Sequence, residues 1–414
     1  RFKLRMSSDD EGEQLSFGLF GDLLDEMHQD ISDQPTLATR RATQKEFDVL
    51  CKLIGGFEKW SVLNEDCRRE VVKNMDYWTR SRLGTCSKAD HETVNTTPIK
   101  VHSIEVQDNE SHYVLSPEDF DNVLVRVQFH HDFNSGKRFE LVFSQLGEDT
   151  QIRWVKYMGR ADVRSLILKN CNYYEEATKF AEKWMKRCNF EIAVLKVEMS
   201  QYPMASSIIK FLPCCKDLRI AADDLDAFRW WLQKVPEQLD SLQLLTHEQE
   251  RNTLTLPGDF VGLPQIMTVP SLYFWCRAAF SDEQFLELKA KSMSFNAVNI
   301  TDNGINQFLK NWINGKGVPG FSRALLWSRR QADKPVLIRG FEVRQWEGDF
   351  EREASGFCGD FERVCGRGDC LQVYSLIDPY ESLTLSIMDD RISIYATGWK
   401  CTYDGRTYSD YGIP

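Results

Sequence analysis

The chain has 414 residues, 42% hydrophobic and 27% charged, with a formal net charge of -11 at pH 7. The composition is ordinary for a soluble globular protein, and the acidic balance argues against general nucleic-acid binding, which needs a basic face for phosphates. No apolar run approaches the roughly 18 to 20 residues of a membrane span, and the opening "RFKLRMSSDDEGEQ" has no apolar stretch behind its basic residues, so it does not read as a signal peptide.

Residues 1–41 are acidic, then polar, with one short amphipathic stretch, "LFGDLLDEM", and read as a disordered tail. Order is expected from Ala42, where Phe47, Leu50, Cys51 and Ile54 fall at helical spacing and Gly55–Gly56 stops the helix. In the next stretch Leu63, Cys67, Val71, Val72 and Met75 recur on one helical face. A break at Asp76 to Trp78 precedes a second helix with Leu83 and Cys86, and a third short helix covers Ala89 to Val94. Three helices this short cannot bury a core alone, so the module at 42–97 must lean on a partner.

From 98 to 168 the pattern has period two: "IKVHSIEV", "NVLVRVQF", "KRFELVF" and "QIRWVKYM" read as a β meander. "HHDFNSGK" is its long hairpin loop, and His130–His131 reads as an exposed turn because no Cys, Asp or Glu constellation surrounds it.

Residues 169–346 alternate helix and strand. "ASSIIKFLPCC" reads as a helix, and Asp224 reads as the N-cap of "DLDAFRWWLQKV". Anchoring the strands on Leu195, Leu218, Leu242, Leu272, Val298 and Leu325 gives one helix plus one strand per step, a degenerate leucine-rich-repeat-like α/β solenoid. A compact α/β sheet is the structural competitor. The last segment, 347–414, reads as a C-terminal β hairpin, "ESLTLSIMDDRISIYATGW", followed by a loose polar tail.

Candidate chemistry is sparse. "NGKGVPG" at 314–320 contains the glycine spacing of a dinucleotide fingerprint, but it follows a helix and opens a strand. The phosphate-binding arrangement needs the reverse order. Ile305, Phe308, Leu309, Trp312 and Ile313 form a buried helical stripe, with Gly315 as the residue just past its end. Twelve cysteines are scattered. The tightest group, Cys358, Cys365 and Cys370, lacks paired zinc spacing and reads as small apolar thiols. "DDLD" at 223–226 reads as a helix entrance, and "SRRQADK" with Arg323 and Arg339 as a loop of solvated charges. No cofactor and no metal site is expected, nor any catalytic residue.

"WSVLNEDCRREVVKNMDYWTRSRLGTCSK" resembles an F-box: Leu63, Glu65, Cys67, Val71, Met75, Arg80, Leu83, Cys86, Ser87 and Lys88 fall at its apolar and polar positions, while Asn64 replaces the usual Pro. "INQFLKNWINGKGVPGF" is similar to the core of the type 2 F-box-associated domain, abundant in nematodes, through Phe308, Leu309, Lys310, Trp312 and Gly315. The resemblance implies an intracellular substrate-receptor subunit of an SCF-type cullin ubiquitin ligase, cytoplasmic or nuclear, with no chemistry of its own. Leu63, Cys67, Val71, Val72, Met75 and Leu83 would be divided between the Skp-type adaptor interface and the small helical core. The α/β repeats would capture an unknown protein target, without nucleic acid or membrane. The alternative is a repeat-type interaction scaffold whose F-box is degenerate. A third reading, a cryptic enzyme, needs a pocket gathering His130, His131 or the Cys358–Cys370 segment beside carboxylates.

Overall fold

The computed structural model describes residues 60, 62–108, 122–130, 138–154, 165–187, 192–212, 215–246, 254–328, 330–346, 348–365 and 368–413. The tail expected at 1–41, the helix expected from Ala42, and His131 lie outside the described residues.

Three short helices come first: α1 (Glu65–Lys73), α2 (Tyr77–Gly84) and α3 (Lys88–Thr96). Each starts at a side-chain cap. Asn64, Asp76 and Ser87 accept the backbone N–H of Cys67, Thr79 and Asp90 respectively, satisfying a donor that the first helical turn leaves without a partner. Then comes an antiparallel meander, β1 (Val101–Asp108), β2 (Asn122–Gln128), β3 (Arg138–Leu146), β4 (Asp149–Trp154) and β5 (Ser165–Leu168). The amphipathic helix α4 (Tyr173–Arg187) lays Phe180 and Trp184 against Phe139 of β3.

β1 is the hinge of the topology. It pairs antiparallel with β2 and parallel with β6 (Ile192–Glu198), which begins a run of parallel strands. β7 (Cys215–Ala221), β8 (Ser241–Leu245), β10 (Ser271–Ala278), β11 (Ser292–Ala297) and β12 (Arg323–Trp327) follow in order, with the two-residue β9 (Thr255–Leu256) beside the end of β10. Helices α5 (Leu225–Leu232), α6 (Gly258–Val261), α7 (Pro264–Met267), α8 (Asp282–Glu287), α9 (Asp302–Ile313) and α10 (Lys334–Leu337) lie between or after these strands in the chain. β13 (Arg344–Gln345), α11 (Gly348–Glu353), α12 (Ser355–Cys365), β14 (Asp369–Tyr374), β15 (Ser382–Ile387), β16 (Arg391–Tyr403) and β17 (Arg406–Tyr411) complete the chain. β16 pairs antiparallel with β12, so among the described residues 17 strands form one sheet, antiparallel at both ends and parallel in the middle.

A ladder of apolar residues crosses the sheet in register: Ile104, Leu195, Leu218, Leu242, Leu272, Met293, Ala324 and Ile394. All are fully buried, each large aliphatic member contributing about 1.5–3 kcal/mol by leaving water. The ladder corrects two expected anchors. Val298 lies past the end of β11 and is exposed, and Leu325 turns to the opposite face, where it packs against Tyr395, Phe361 and their neighbours. Counting leucine spacing ignores strand parity, which sends adjacent residues to opposite faces.

Two further expectations are corrected. "ASSIIKFLPCC" is not a helix: a short 3-10 turn at Met204–Ser206 leads into extended chain through Leu212, whose N–H donates to the Lys234 carbonyl. Paired serines, paired isoleucines and the restriction before Pro213 all work against helix here. The tail read as loose is a β hairpin, in which β16 and β17 close on Asp404–Gly405, both at positive φ. That two-residue turn matches the right-handed twist of its strands and makes the hairpin despite its polar side chains.

A second, smaller core lies on the other face of the sheet near its C-terminal end. Phe350, Phe357, Phe361, Cys358, Cys365, Cys370 and Tyr395 form it.

Candidate functional site

The helical module is built around buried polar bonds. Arg80 is buried, with Nη1 donating to the carbonyls of Thr97 (3.1 Å) and Pro98 (2.9 Å). Asp90 accepts from Trp60 Nε1 at 2.6 Å and from Ser87 Oγ at 2.7 Å. Tyr77 leaves the module and enters the aromatic cluster of Phe129, Phe139 and Trp184 on the sheet. These contacts fix α2 and α3, while α1 exposes most of its length to solvent.

The six apolar residues singled out in this module divide by burial. Val72 and Leu83 are buried and Met75 is half-buried, while Leu63, Cys67 and Val71 are exposed. Cys67 and Val71 lie four residues apart on α1 and so share one face, and Leu63 stands just ahead of its N-cap. Val62, 81% exposed, adds to the apolar surface ahead of the helix. Helical periodicity does not reveal Val62, because it precedes the helix and falls outside its repeat. Asn64 stands where the resembled motif has Pro, and its side chain holds the Cys67 N–H at 2.8 Å, so the helix still starts there.

The second region is α9 with the loop at its C-terminal end. Ile305, Phe308, Leu309 and Ile313 are buried in α9, and Trp312 packs at the edge of the core. The helix ends at Gly315 (φ +68) in a Schellman arrangement: Lys316 N–H donates to the Asn311 carbonyl and Gly315 N–H to that of Trp312. Gly317 lies so close to Trp312 that an added Cβ would stand 3.0 Å from its Cα. Lys310 Nζ runs close to Gly340, 3.3 Å from where a Cβ would stand there. Asn306 is buried and donates to the carbonyls of Leu337 and Arg339 at 2.9 and 3.0 Å, tying α9 to the end of α10. The loop thus closes the helix, its Gly315 and Lys316 N–H groups taking the carbonyls of Trp312 and Asn311.

The third region is the open face of the sheet, opposite the main ladder. A cavity of ≈ 550 Å³ there is lined by side chains of β1, β2, β3, β6, β7 and β8. Charges cross the strands in pairs. Arg126 of β2 reaches Glu105 of β1 at 2.5 Å and Glu140 of β3 at 2.8 Å, while Glu198 takes the neutral Gln107 Nε2 from β1 at 2.6 Å and Lys196 of its own strand at 3.3 Å. Arg219 Nε lies 2.7 Å from Glu198 Oε1, close as a charge but not aligned as a hydrogen bond. Burial lowers the Arg126 pKa, but Glu105 and Glu140 more than offset it, so the guanidinium pKa ends above its usual value. Burial and the neighbouring Asp240 push the Asp217 carboxyl up. The carboxylates and cations of this floor are set against one another between neighbouring strands. The sequence signal was present as charged residues at alternate strand positions, but cross-strand pairing was needed to connect them.

The remaining candidates separate. Among the described residues no group of three or more His, Cys, Asp or Glu side chains could hold a metal ion. Cys358, Cys365 and Cys370 are buried, and burial pushes the Cys358 and Cys370 thiols up to about 11. A thiol so raised is protonated at neutral pH and a poor nucleophile. His130 lines the junction between α2 and β2 beside Tyr77 and Phe129, far in sequence and element from those thiols. Arg330 is held by Asp302 (3.0 Å for the Nη2–Oδ1 contact), which is itself buried. Asp224 caps α5 by accepting from the Ala227 N–H at 2.7 Å. No described helix is long and apolar enough to cross a membrane.

Residues 265–320, from α7 through α9 to Gly320, match the family model described as "F-box associated". An uncharacterized F-box protein of Caenorhabditis elegans is 49% identical over 378 residues, which covers 91% of this chain and 97% of that relative. No solved structure matches.

Proposed function

The chain belongs to the F-box protein family, and on that premise we propose that it is the non-catalytic substrate-recognition subunit of an SCF-type cullin ubiquitin ligase, acting in the cytoplasm or nucleus. Residues 60–95 form the F-box and dock a Skp-type adaptor. The observation that carries this reading is the exposed apolar set of Val62, Leu63, Cys67 and Val71, on and just ahead of a helix that buries Val72. A helical module too small to bury such a stripe itself is completed by a partner's apolar surface. Asn64 supports the reading, because its capping bond preserves the helix start that the usual Pro would set.

The strands from β6 to β12 and their helices then act as a leucine-rich-repeat-like solenoid. Its open, charge-lined face takes the target protein, and α9 with Gly315 holds the last units together. The chain contributes no reacting group: it raises the effective concentration of a target beside a ubiquitin-loaded enzyme.

The test is co-purification of the full chain with a Skp-type adaptor and a cullin. Leu63→Asp with Val71→Asp places two charges on exposed positions, so the fold and its circular dichroism are retained while adaptor capture falls at least 100-fold. Full capture by this double variant would overturn the assignment of the stripe. A wild-type chain that folds but captures no adaptor would instead favour an interaction scaffold with a degenerate F-box.

A further inference from the structure

The ribbon made by the end of β16 and by β17 leaves the sheet with one edge uncovered. Trp399 to Tyr403 pair only with Asp410 to Arg406 in that order, and among the described residues no strand flanks β17 on its other side. Tyr403 and Arg406 flank a two-residue turn and therefore exchange both backbone bonds. Alternation places 408 and 410 in the same inward-bonding class, and the Gly412 N–H continues the series by donating to the Thr397 carbonyl at 3.1 Å. The N–H and C=O of Thr407 and Ser409 accordingly face outward. An edge of this kind is a template for another strand unless charge, proline or a bulge blocks it, and β17 has no proline and no register shift.

The sequence along that edge, Arg406-Thr407-Tyr408-Ser409-Asp410, has opposite charges placed symmetrically about Tyr408. We propose that β17 is a homodimer edge, where a second copy of this chain pairs antiparallel across a two-fold axis at Tyr408. In that register Thr407 exchanges both backbone bonds with Ser409 of the other copy, and Ser409 with its Thr407. Arg406 lies directly opposite the other copy's Asp410, and Tyr408 meets Tyr408. Arg406, Tyr408 (47% exposed) and Asp410 all lie on one exposed face with Tyr403 (77% exposed). The neighbouring register, centred on Ser409, sets Tyr408 against Asp410 and leaves Arg406 without a carboxylate, so charge selects the first. Opposite charges directly across strands stabilise a pair and like charges destabilise it. The match between outward-bonding positions and the charge palindrome is what favours a second copy over an unrelated peptide. An isologous contact of this kind closes on itself and does not propagate. The inference stands on the ribbon alone, apart from adaptor docking.

Sedimentation velocity of the full chain across a concentration series tests it. The wild type forms a concentration-dependent dimer, and the amides of Thr407 and Ser409 exchange more slowly as the dimer forms. Arg406→Asp weakens the dimer at least tenfold, as does Asp410→Arg, because each sets like charges face to face. The double variant Arg406→Asp with Asp410→Arg restores the pair with signs reversed and recovers dimerisation. A structural defect would not be rescued by a second substitution. A wild type monomeric across the whole concentration series, a dimer indifferent to the single reversals, or a double variant no better than either single one would each overturn the proposal. So would protection of the β17 amides on adding a target to a chain that is monomeric alone, which would assign the edge to the target.

Discussion

Tyr77 lies flat on Phe129, with ring centroids 4.8 Å apart and planes 10° from parallel. Tyr77 belongs to α2 and Phe129 follows β2, so this pair joins the helical module to the sheet. Trp184 meets the Tyr77 ring edge-on at 5.3 Å from α4, which gives the module a fixed seat. Replacing Tyr77 by Ala removes a packed ring and its aromatic partners, a loss of about 2–4 kcal/mol. The loss is local: amide exchange in α1 to α3 accelerates while the strands β6 to β12 keep their protection. Unchanged exchange in the three helices would contradict this role for Tyr77.

Gly315 and Gly359 give opposite predictions from the same substitution. Gly315 sits at φ +68 with Ile377 Cγ1 only 2.9 Å from an added Cβ, so Gly315→Ala destabilises by about 1–2 kcal/mol. Gly359 lies inside α12 with nothing within 4 Å of an added Cβ, so Gly359→Ala stabilises by about 0.5–1 kcal/mol. Thermal denaturation of the two variants reads the signs directly. A neutral Gly315→Ala would mean that the helix end repacks without its left-handed residue.

Asn306 supplies two donors to carbonyls at the end of α10. Asn306→Leu keeps the volume but leaves both carbonyls short of a donor, that of Leu337 in a buried place. The expected loss is about 1–3 kcal/mol, measured by urea denaturation, with the steepest gain in proteolysis between residues 330 and 346.

Burial pushes the thiols of Cys215 and Cys276 up to about 12 from an ordinary 9.0. The unfolded chain therefore releases these protons first. Their contribution to stability is complete below pH 9 and is lost as the pH climbs from there toward 12. At neutral pH an alkylating reagent labels the exposed Cys67 and Cys86 first, and mass spectrometry finds Cys215, Cys276, Cys358 and Cys370 unlabelled until the chain unfolds. Equal labelling rates would show that the buried thiols are reached without unfolding.

The sequence alone determined what depends on neighbours along the chain. Helix starts follow from caps such as Asp224, whose side chain bonds a backbone N–H three residues on. The end of α9 follows from the amphipathic stripe and Gly315, and the family follows from the same residues with the helical stretch at 60–95. Strand periodicity marked the meander and most of the parallel strands.

Tertiary structure decided whatever depends on which face meets which neighbour. Val71 and Val72 are adjacent and equally apolar, yet one faces solvent and the other the module's interior, because successive helical residues point about 100° apart and α1 packs on its Val72 side. Leu325 looked equivalent to Leu242 by spacing, but cross-strand register gave the ladder position to Ala324 and turned Leu325 toward the second core. The polar ends of β16 and β17 carried no hydrophobic alternation to announce a strand. Their hairpin rests on a two-residue turn and backbone pairing, and its uncovered edge becomes visible only once the partners of every other strand are known.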